Sequence, residues 1–115
     1  MSKDIFCKIA EGCAPAKIRY EDDEIVAIDD INPKAPVHIL IIPKKHFAHL
    51  GEMKPHDMGV FQEMFEVARL LAAKVGVDEK GYRLALNVNR EGGQSVFHVH
   101  MHLLGGKQMG PSLVG

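Results

Sequence analysis

The apolar and polar positions along the chain alternate between two periods. Val37-His38-Ile39-Leu40-Ile41-Ile42 is a near-continuous β-branched run stopped by Pro43, which predicts a central strand buried on both faces. Lys17–Glu21 and Glu24–Ile28 are two short strands, and Asp22-Asp23 between them suits a hairpin turn. Asp4 to Gly12 predicts a short helix, with Asp4 as its N-cap and Gly12 just past its end. From Pro55 to Val75 the period changes: Met58, Phe61, Phe65, Ala68, Leu71, Ala72 and Val75 recur at three- and four-residue spacing, so this stretch reads as one long helix ended by Gly76. Its Met and Phe stripe is read as core packing. Tyr82–Asn89 and Val96–Leu104 complete the strands, separated by Gly92 and Gly93. Strands in adjacent pairs with one long inserted helix predict an α+β antiparallel sheet over a parallel array, in one domain spanning residues 1–115.

The last strand carries the chemistry. Side chains alternate along a strand, so Phe97, Val99, Met101 and Leu103 share an apolar face, while His98, His100 and His102 share the other, about 7 Å between neighbours. Three aligned imidazoles depress one another's pKa, which leaves at least one neutral near pH 7 and available as nucleophile, base or ligand. Four readings follow: ordinary half-buried histidines, a metal site, general acid–base catalysis, or nucleophilic attack at phosphorus or an acyl centre. Just upstream, Asn87-Val88-Asn89-Arg90-Glu91-Gly92-Gly93-Gln94-Ser95 holds a Gly-Gly turn, whose amides can cradle an anion, and a hydroxyl at the strand entrance. This segment offers no cysteine to complete a zinc cage. The neighbourhood therefore points to phosphate chemistry.

Charge and composition narrow the partners. With 14 Lys and Arg against 15 Asp and Glu the net charge is −1, which argues against a general nucleic-acid surface. No run approaches the ~20 apolar residues of a membrane span. Two cysteines, Cys7 and Cys13, exclude a disulfide framework, and with no signal pattern over Met1 to Ala10 the expected location is the cytosol.

The stretch His98-Val99-His100-Met101-His102-Leu103-Leu104, preceded by Gly93-Gln94-Ser95-Val96-Phe97, resembles the signature of the histidine triad (HIT) family. The likeness extends over nearly the whole chain, through Ile5-Phe6-Cys7-Lys8-Ile9, Asp29-Asp30-Ile31-Asn32-Pro33, Ala35-Pro36-Val37-His38, Ile41-Ile42-Pro43-Lys44-Lys45-His46 and Gly81-Tyr82-Arg83. The tail Gly105-Gly106-Lys107-Gln108-Met109 is similar to the family's nucleotide-binding (Hint) branch.

The resemblance implies a HIT-like fold of about five antiparallel strands with one long and one short helix, its sheets joined across a homodimer near Leu84–Val88. It implies a hydrolase that cleaves P–N bonds of purine nucleoside 5′-phosphoramidates and acyl-nucleotides (AMP derivatives) through a nucleotidyl-histidine intermediate. His100 would be the nucleophile. His98 and His102 would orient it and donate to phosphate oxygens, Ser95, Gln94 and Gly93 would hold the phosphate or leaving group, and Asn87 would contact the phosphate or sugar. Asp30 would take the ribose hydroxyls, Ile31 would line the nucleoside site, and Phe6, Ile9, Ile28 and Leu40 would form a slot for the base. His38 would buffer the charge of His100; read alone, it is equally a satisfied core histidine. Alternatives within the resemblance are a dinucleoside polyphosphate hydrolase and a non-catalytic nucleotide-binding regulator.

No cofactor is expected. Many bacterial members carry Cys-x-x-Cys near the start and bind zinc, whereas here the segment reads Asp4-Ile5-Phe6-Cys7. Cys7, His46 and His98 alone make an incomplete ligand set, so the expectation is no metal. His46, His49 and His56 read as members of a solvated loop, and Lys44-Lys45 as a solvated pair.

Overall fold

A computed structural model describes residues 4–111. Helix α1 spans Ile5–Ala10. Asp4 caps it, accepting a 2.7 Å hydrogen bond from the Cys7 amide, and Gly12 leaves it at φ +77°, where a Cβ is disfavoured. Strands β1 (Ile18–Glu21) and β2 (Ile25–Asp29) form the expected hairpin, whose turn is held by Asp22 Oδ1 accepting from the Glu24 and Ile25 amides. Strand β3 (Val37–Pro43), helix α2 (Gly59–Lys74), β4 (Tyr82–Ala85) and β5 (Met101–Gly105) follow. The strands form one antiparallel sheet in the order β1-β2-β3-β5-β4, so the expected architecture stands.

Register sorts the two faces. Ile28 pairs with Leu40, Leu40 with His102 and His102 with Ala85, so these four lie on one face. The opposite face carries Ile25, Ala27, Ile39, Ile41, Met101 and Leu103, all buried beneath Met64, Val67, Ala68, Leu71 and Ala72 of α2. On the triad's face, Phe6 and Ile9 of α1 pack onto Val26, Ile28, Leu40 and Ile42. Both faces of β2 and β3 are thus covered, which explains their continuous apolar runs. No helix among the described residues is long and apolar enough to cross a membrane.

Three expectations are corrected. The long helix does not run from Pro55: Pro55–Asp57 is a separate 3₁₀ turn, closed by Asp57 accepting from the Lys54 amide. At ~100° per residue, Met58 and Phe65 then fall on the flank of the buried stripe, and both are exposed. Strand β4 stops at Ala85, because Asn87 to Gln94 fold into their own loop. There Asn87 Nδ2 donates to the Gly92 carbonyl, and the Asn89 amide donates to Gln94 Oε1.

The third correction matters most: β5 starts only at Met101. The His98 amide turns back to the Val96 carbonyl, and Val99 bonds across to Phe47, so residues 96–100 leave the ladder. Val99, Met101 and Leu103 keep their expected burial, but Phe97 lies 43% exposed.

Met64 is fully buried in the core between α2 and the sheet. Met64→Ala should lower unfolding free energy by about 2–5 kcal/mol in urea denaturation. Glu66→Ala two positions on breaks only an exposed pair with Arg69 and should stay within about 0.5 kcal/mol.

Candidate functional site

Tautomers in the histidine cluster follow from partners that can act in only one sense. The Lys34 amide donates to His38 Nδ1 at 3.0 Å, so that nitrogen is an acceptor and the His38 proton sits on Nε2. His38 Nε2 lies 2.9 Å from His102 Nδ1 and donates to it, which leaves the His102 proton on its own Nε2. Asp30 Oδ2 stands 3.4 Å from His38 Nε2 and biases the same proton. Next to this relay, His100 Nδ1 lies 2.7 Å from the His98 carbonyl, an acceptor only. His100 is therefore protonated on Nδ1, and its Nε2 carries a free lone pair. The His100 and His102 rings stand 5.0 Å apart, a donor-tipped imidazole beside a nucleophile-tipped one.

These groups are neutral at pH 7. Burial, and then neighbouring His100 and His38, push His102 down to about 4. Burial likewise lowers His100 and His38. Phe6 contributes by setting its ring edge against His100, 4.9 Å between centroids, keeping water from that side.

A cleft of about 430 Å³ opens in front of His102 and His38, lined by Asp30, Asn32, Lys34, Asn87, Ser95 and others. Asp30, Asn87 and Ser95 thus share the rim of one cavity. Asn32 and Lys34 were missed; a proline-bounded loop gives no sign that its backbone turns back onto a histidine. Ile31 is 90% exposed beside Asp30. Phe6, Ile9, Ile28 and Leu40 form a buried cluster on the triad's face and do not line this cleft.

Three expected contacts are redirected. Gln94 does not face a ligand: its side chain is buried, with Oε1 taken by the Asn89 amide and Nε2 donating to the Ala48 and Val96 carbonyls. The Gly93 amide bonds internally to the Arg90 carbonyl, so it is no cradle donor. At Gly92 any Cβ would sit 2.4 Å from the Val88 carbonyl, so this glycine serves loop closure.

The His98 ring leaves the stripe altogether. It is completely buried and turned toward α1, with Nε2 2.7 Å from the Pro43 carbonyl. That carbonyl takes the proton, and the Nδ1 lone pair faces a second cluster: Cys7 Sγ at 3.4 Å, His46 Nδ1 at 3.3 Å and Asp4 Oδ2 at 3.2 Å. Asp4, expected only as a helix cap, joins Cys7, His46 and His98, the incomplete ligand set of the sequence reading, and the candidate ligand atoms of the four lie within 4.8 Å of one another. The donor set, one carboxylate, one thiol and two imidazoles, suits a borderline cation such as zinc. Among the relay residues, Asp30, His38 and His102 also converge, but the Lys34 amide obliges His38 to keep a proton on the nitrogen that would have to ligate. They make no metal site.

The lowered His102 pKa has a thermodynamic sign. Between its ordinary value of 6.5 and about 4 the unfolded chain binds the proton and the folded one does not, so stability falls as pH drops through that window. Urea midpoints measured from pH 7 to 4 should decline, and His102→Gln should show a shallower decline; parallel curves would contradict the neutral assignment.

The chain is similar to known proteins over nearly its whole length. The HIT domain model matches residues 11–109. The purine nucleoside phosphoramidase of Escherichia coli (strain K12) is 45% identical over 109 residues, covering 95% of this chain and 92% of that protein. The crystal structure of a HIT family hydrolase from Legionella pneumophila superposes with a TM-score of 0.91 at 48% identity, covering 94% of this chain and 96% of that one. A HIT family hydrolase from Clostridium thermocellum gives 0.93 at 45% identity, covering 99% of each. With its matched domain, its antiparallel sheet and its clustered histidines, this chain belongs to the HIT family.

Proposed function

We propose that this protein hydrolyses the P–N bond of purine nucleoside 5′-phosphoramidates, with His100 as nucleophile. The observation that carries the reading is the fixed tautomer pair: a His100 Nε2 lone pair held by the His98 carbonyl, beside a His102 Nε2–H held by the His38 relay. Covalent catalysis divides one displacement into two. In the first step His100 Nε2 attacks the α-phosphorus and the P–N bond breaks, its electron pair leaving with the amine nitrogen, which takes one proton from solvent. In the second, water attacks the nucleotidyl-histidine and releases the nucleoside monophosphate and neutral imidazole.

The polar groups have roles that match their chemistry. His102 Nε2–H donates to a phosphate oxygen as charge builds, and Ser95, at the cleft wall, supplies a hydroxyl to the phosphate or leaving group. Asp30 accepts from the ribose hydroxyls, and exposed Ile31 meets the nucleoside. Lys34 brings positive charge to the same cleft. His98 acts through its carbonyl, and its ring serves elsewhere. The similarity to the E. coli phosphoramidase supports the choice of a purine nucleoside and an amine leaving group.

We also propose a homodimer. Among the described residues strand β4 pairs only with β5 and leaves an open edge, and α2 exposes Phe65 and Leu70; a second copy would cover both. A cytosolic location suits two free thiols.

Adenosine 5′-monophosphoramidate is the substrate to test, with diadenosine polyphosphates as comparison. His100→Gly should lose at least about 10³-fold in kcat while AMP affinity by calorimetry stays within a few-fold. Retained turnover would remove His100 from the reaction. Asp30→Ala should weaken AMP binding by about tenfold, on the order of 1–2 kcal/mol for hydrogen bonds to a charged group; unchanged affinity would count against the ribose contact.

A further inference from the structure

We propose that Lys34 selects the leaving group: its ammonium favours amines that carry a negative charge, such as a carboxylate close to the departing nitrogen. The inference rests on the phosphoramidase reading for the reaction and adds the class of amine that this chain releases.

The cleft has a direction. His100 is buried against the ring edge of Phe6 and does not line the cleft. Beyond His102 the same sheet face continues as a row of His38, Leu104 and Arg83, paired across β3, β5 and β4. Ala85 and Leu104 lie at that end of the cleft, and Lys34 joins its wall. Displacement at phosphorus holds the attacking and departing atoms roughly in line. With His100 Nε2 attacking from the closed end, the P–N bond breaks toward the other. Its electron pair leaves with an amine nitrogen on the side of Ala85 and Leu104, which takes its proton from solvent.

Charge decides what that amine carries. Burial keeps His38 and His102 neutral at pH 7, which leaves Lys34 as the one cation and Asp30 as the one anion among the described residues lining the cleft. Lys17, Lys44 and Lys45 each meet a carboxylate. Lys34 Nζ has instead a long 3.4 Å hydrogen bond to the Asn32 carbonyl and, among the described residues, no ion pair. Arg83 shares the sheet face, but its guanidinium donates to the Gly110 carbonyl and stays off the cleft wall. The charge open to a leaving group is therefore that of Lys34.

Its mounting is rigid and its tip is not. The Asp30 amide donates to the His38 carbonyl at 2.9 Å, the Asn32 amide to Asp30 Oδ1 at 2.8 Å, and the Lys34 amide to His38 Nδ1 at 3.0 Å. Pro33 and Pro36 fix φ on either side. The main chain of Lys34 is thus held beside the histidine relay, while its side chain is exposed. A compact ammonium on a flexible stem reads charge more than shape. Side-chain substitutions at this position keep the amide that serves His38.

The test uses two adenosine 5′-phosphoramidates that differ in one group, N-linked to glycine or to glycinamide. The quantity read is the ratio of kcat/KM for the carboxylate over the amide, in which damage common to both substrates cancels. The wild-type ratio should exceed that of Lys34→Gln by about three- to fivefold, the scale of an exposed ion pair. Lys34→Arg should keep the wild-type ratio, and Lys34→Glu should fall below Lys34→Gln. Raising NaCl to about 0.5 M should bring the wild-type ratio down toward that of Lys34→Gln. An equal loss on both substrates in Lys34→Gln would assign the ammonium to the phosphate and overturn the selection, as would full activity on both. Calorimetry of the two intact compounds on His100→Gly, with and without Lys34→Gln, makes the same comparison without turnover. Should the wild type hydrolyse neither compound, the phosphoramidase reading fails. The calorimetric ratio then decides Lys34 alone: a change of about three- to fivefold upholds it, and no change overturns it.

Discussion

The hydrogen bond from His100 Nδ1 to the His98 carbonyl is the constraint on which the rest of the site depends. A neutral imidazole has one proton and two nitrogens, and only the nitrogen without the proton is nucleophilic. A carbonyl acceptor at 2.7 Å settles the choice and also keeps the ring from turning. Burial then removes the competing imidazolium form. Neither influence would suffice alone: a buried ring without the carbonyl would share its proton between two faces, and a bonded ring in solvent would protonate in mild acid.

The same logic runs in the opposite sense one pair along β5. His102 is held with its proton outward by His38, which is held in turn by the Lys34 amide. The sheet thus presents one lone pair and one N–H side by side, made from the same residue type. Antiparallel register makes this possible. His38 pairs with Leu104 and Leu40 with His102, so His38 lies diagonally across from His102 on the same face, within reach of its ring.

Much of the fold and part of the site were legible in the sequence, and the limits have physical causes. The runs at Val37–Ile42 and Met101–Leu104 are apolar enough to declare sheet, and the capped helix at Asp4 and the hairpin at Asp22 are local matters. Strict alternation of His98, His100 and His102 implied a shared face, but alternation is a property of a ladder, and the ladder begins only at Met101. What bends the chain before that point is a set of distant bonds, to Phe47 and Ala48, that no local pattern announces. Gln94 was misread for the same reason: beside a Gly-Gly turn it looks like a ligand-binding amide, yet its partners lie in its own loop and in the segment after β3. Asp4 went unnoticed beyond its role as a cap because its convergence with Cys7, His46 and His98 exists only in three dimensions.

The separation of these partners along the chain has a bearing on how the protein comes into being. His38 meets His102 across 64 positions, and Asp4 meets His98 across 94. Such closures are entropically slow and come late in folding. On the ribosome, the surroundings of His100 cannot exist until β5 has emerged and threaded between β3 and β4. The fixed tautomers are thereby reserved for finished molecules, and a nascent or partly unravelled chain has only ordinary histidines.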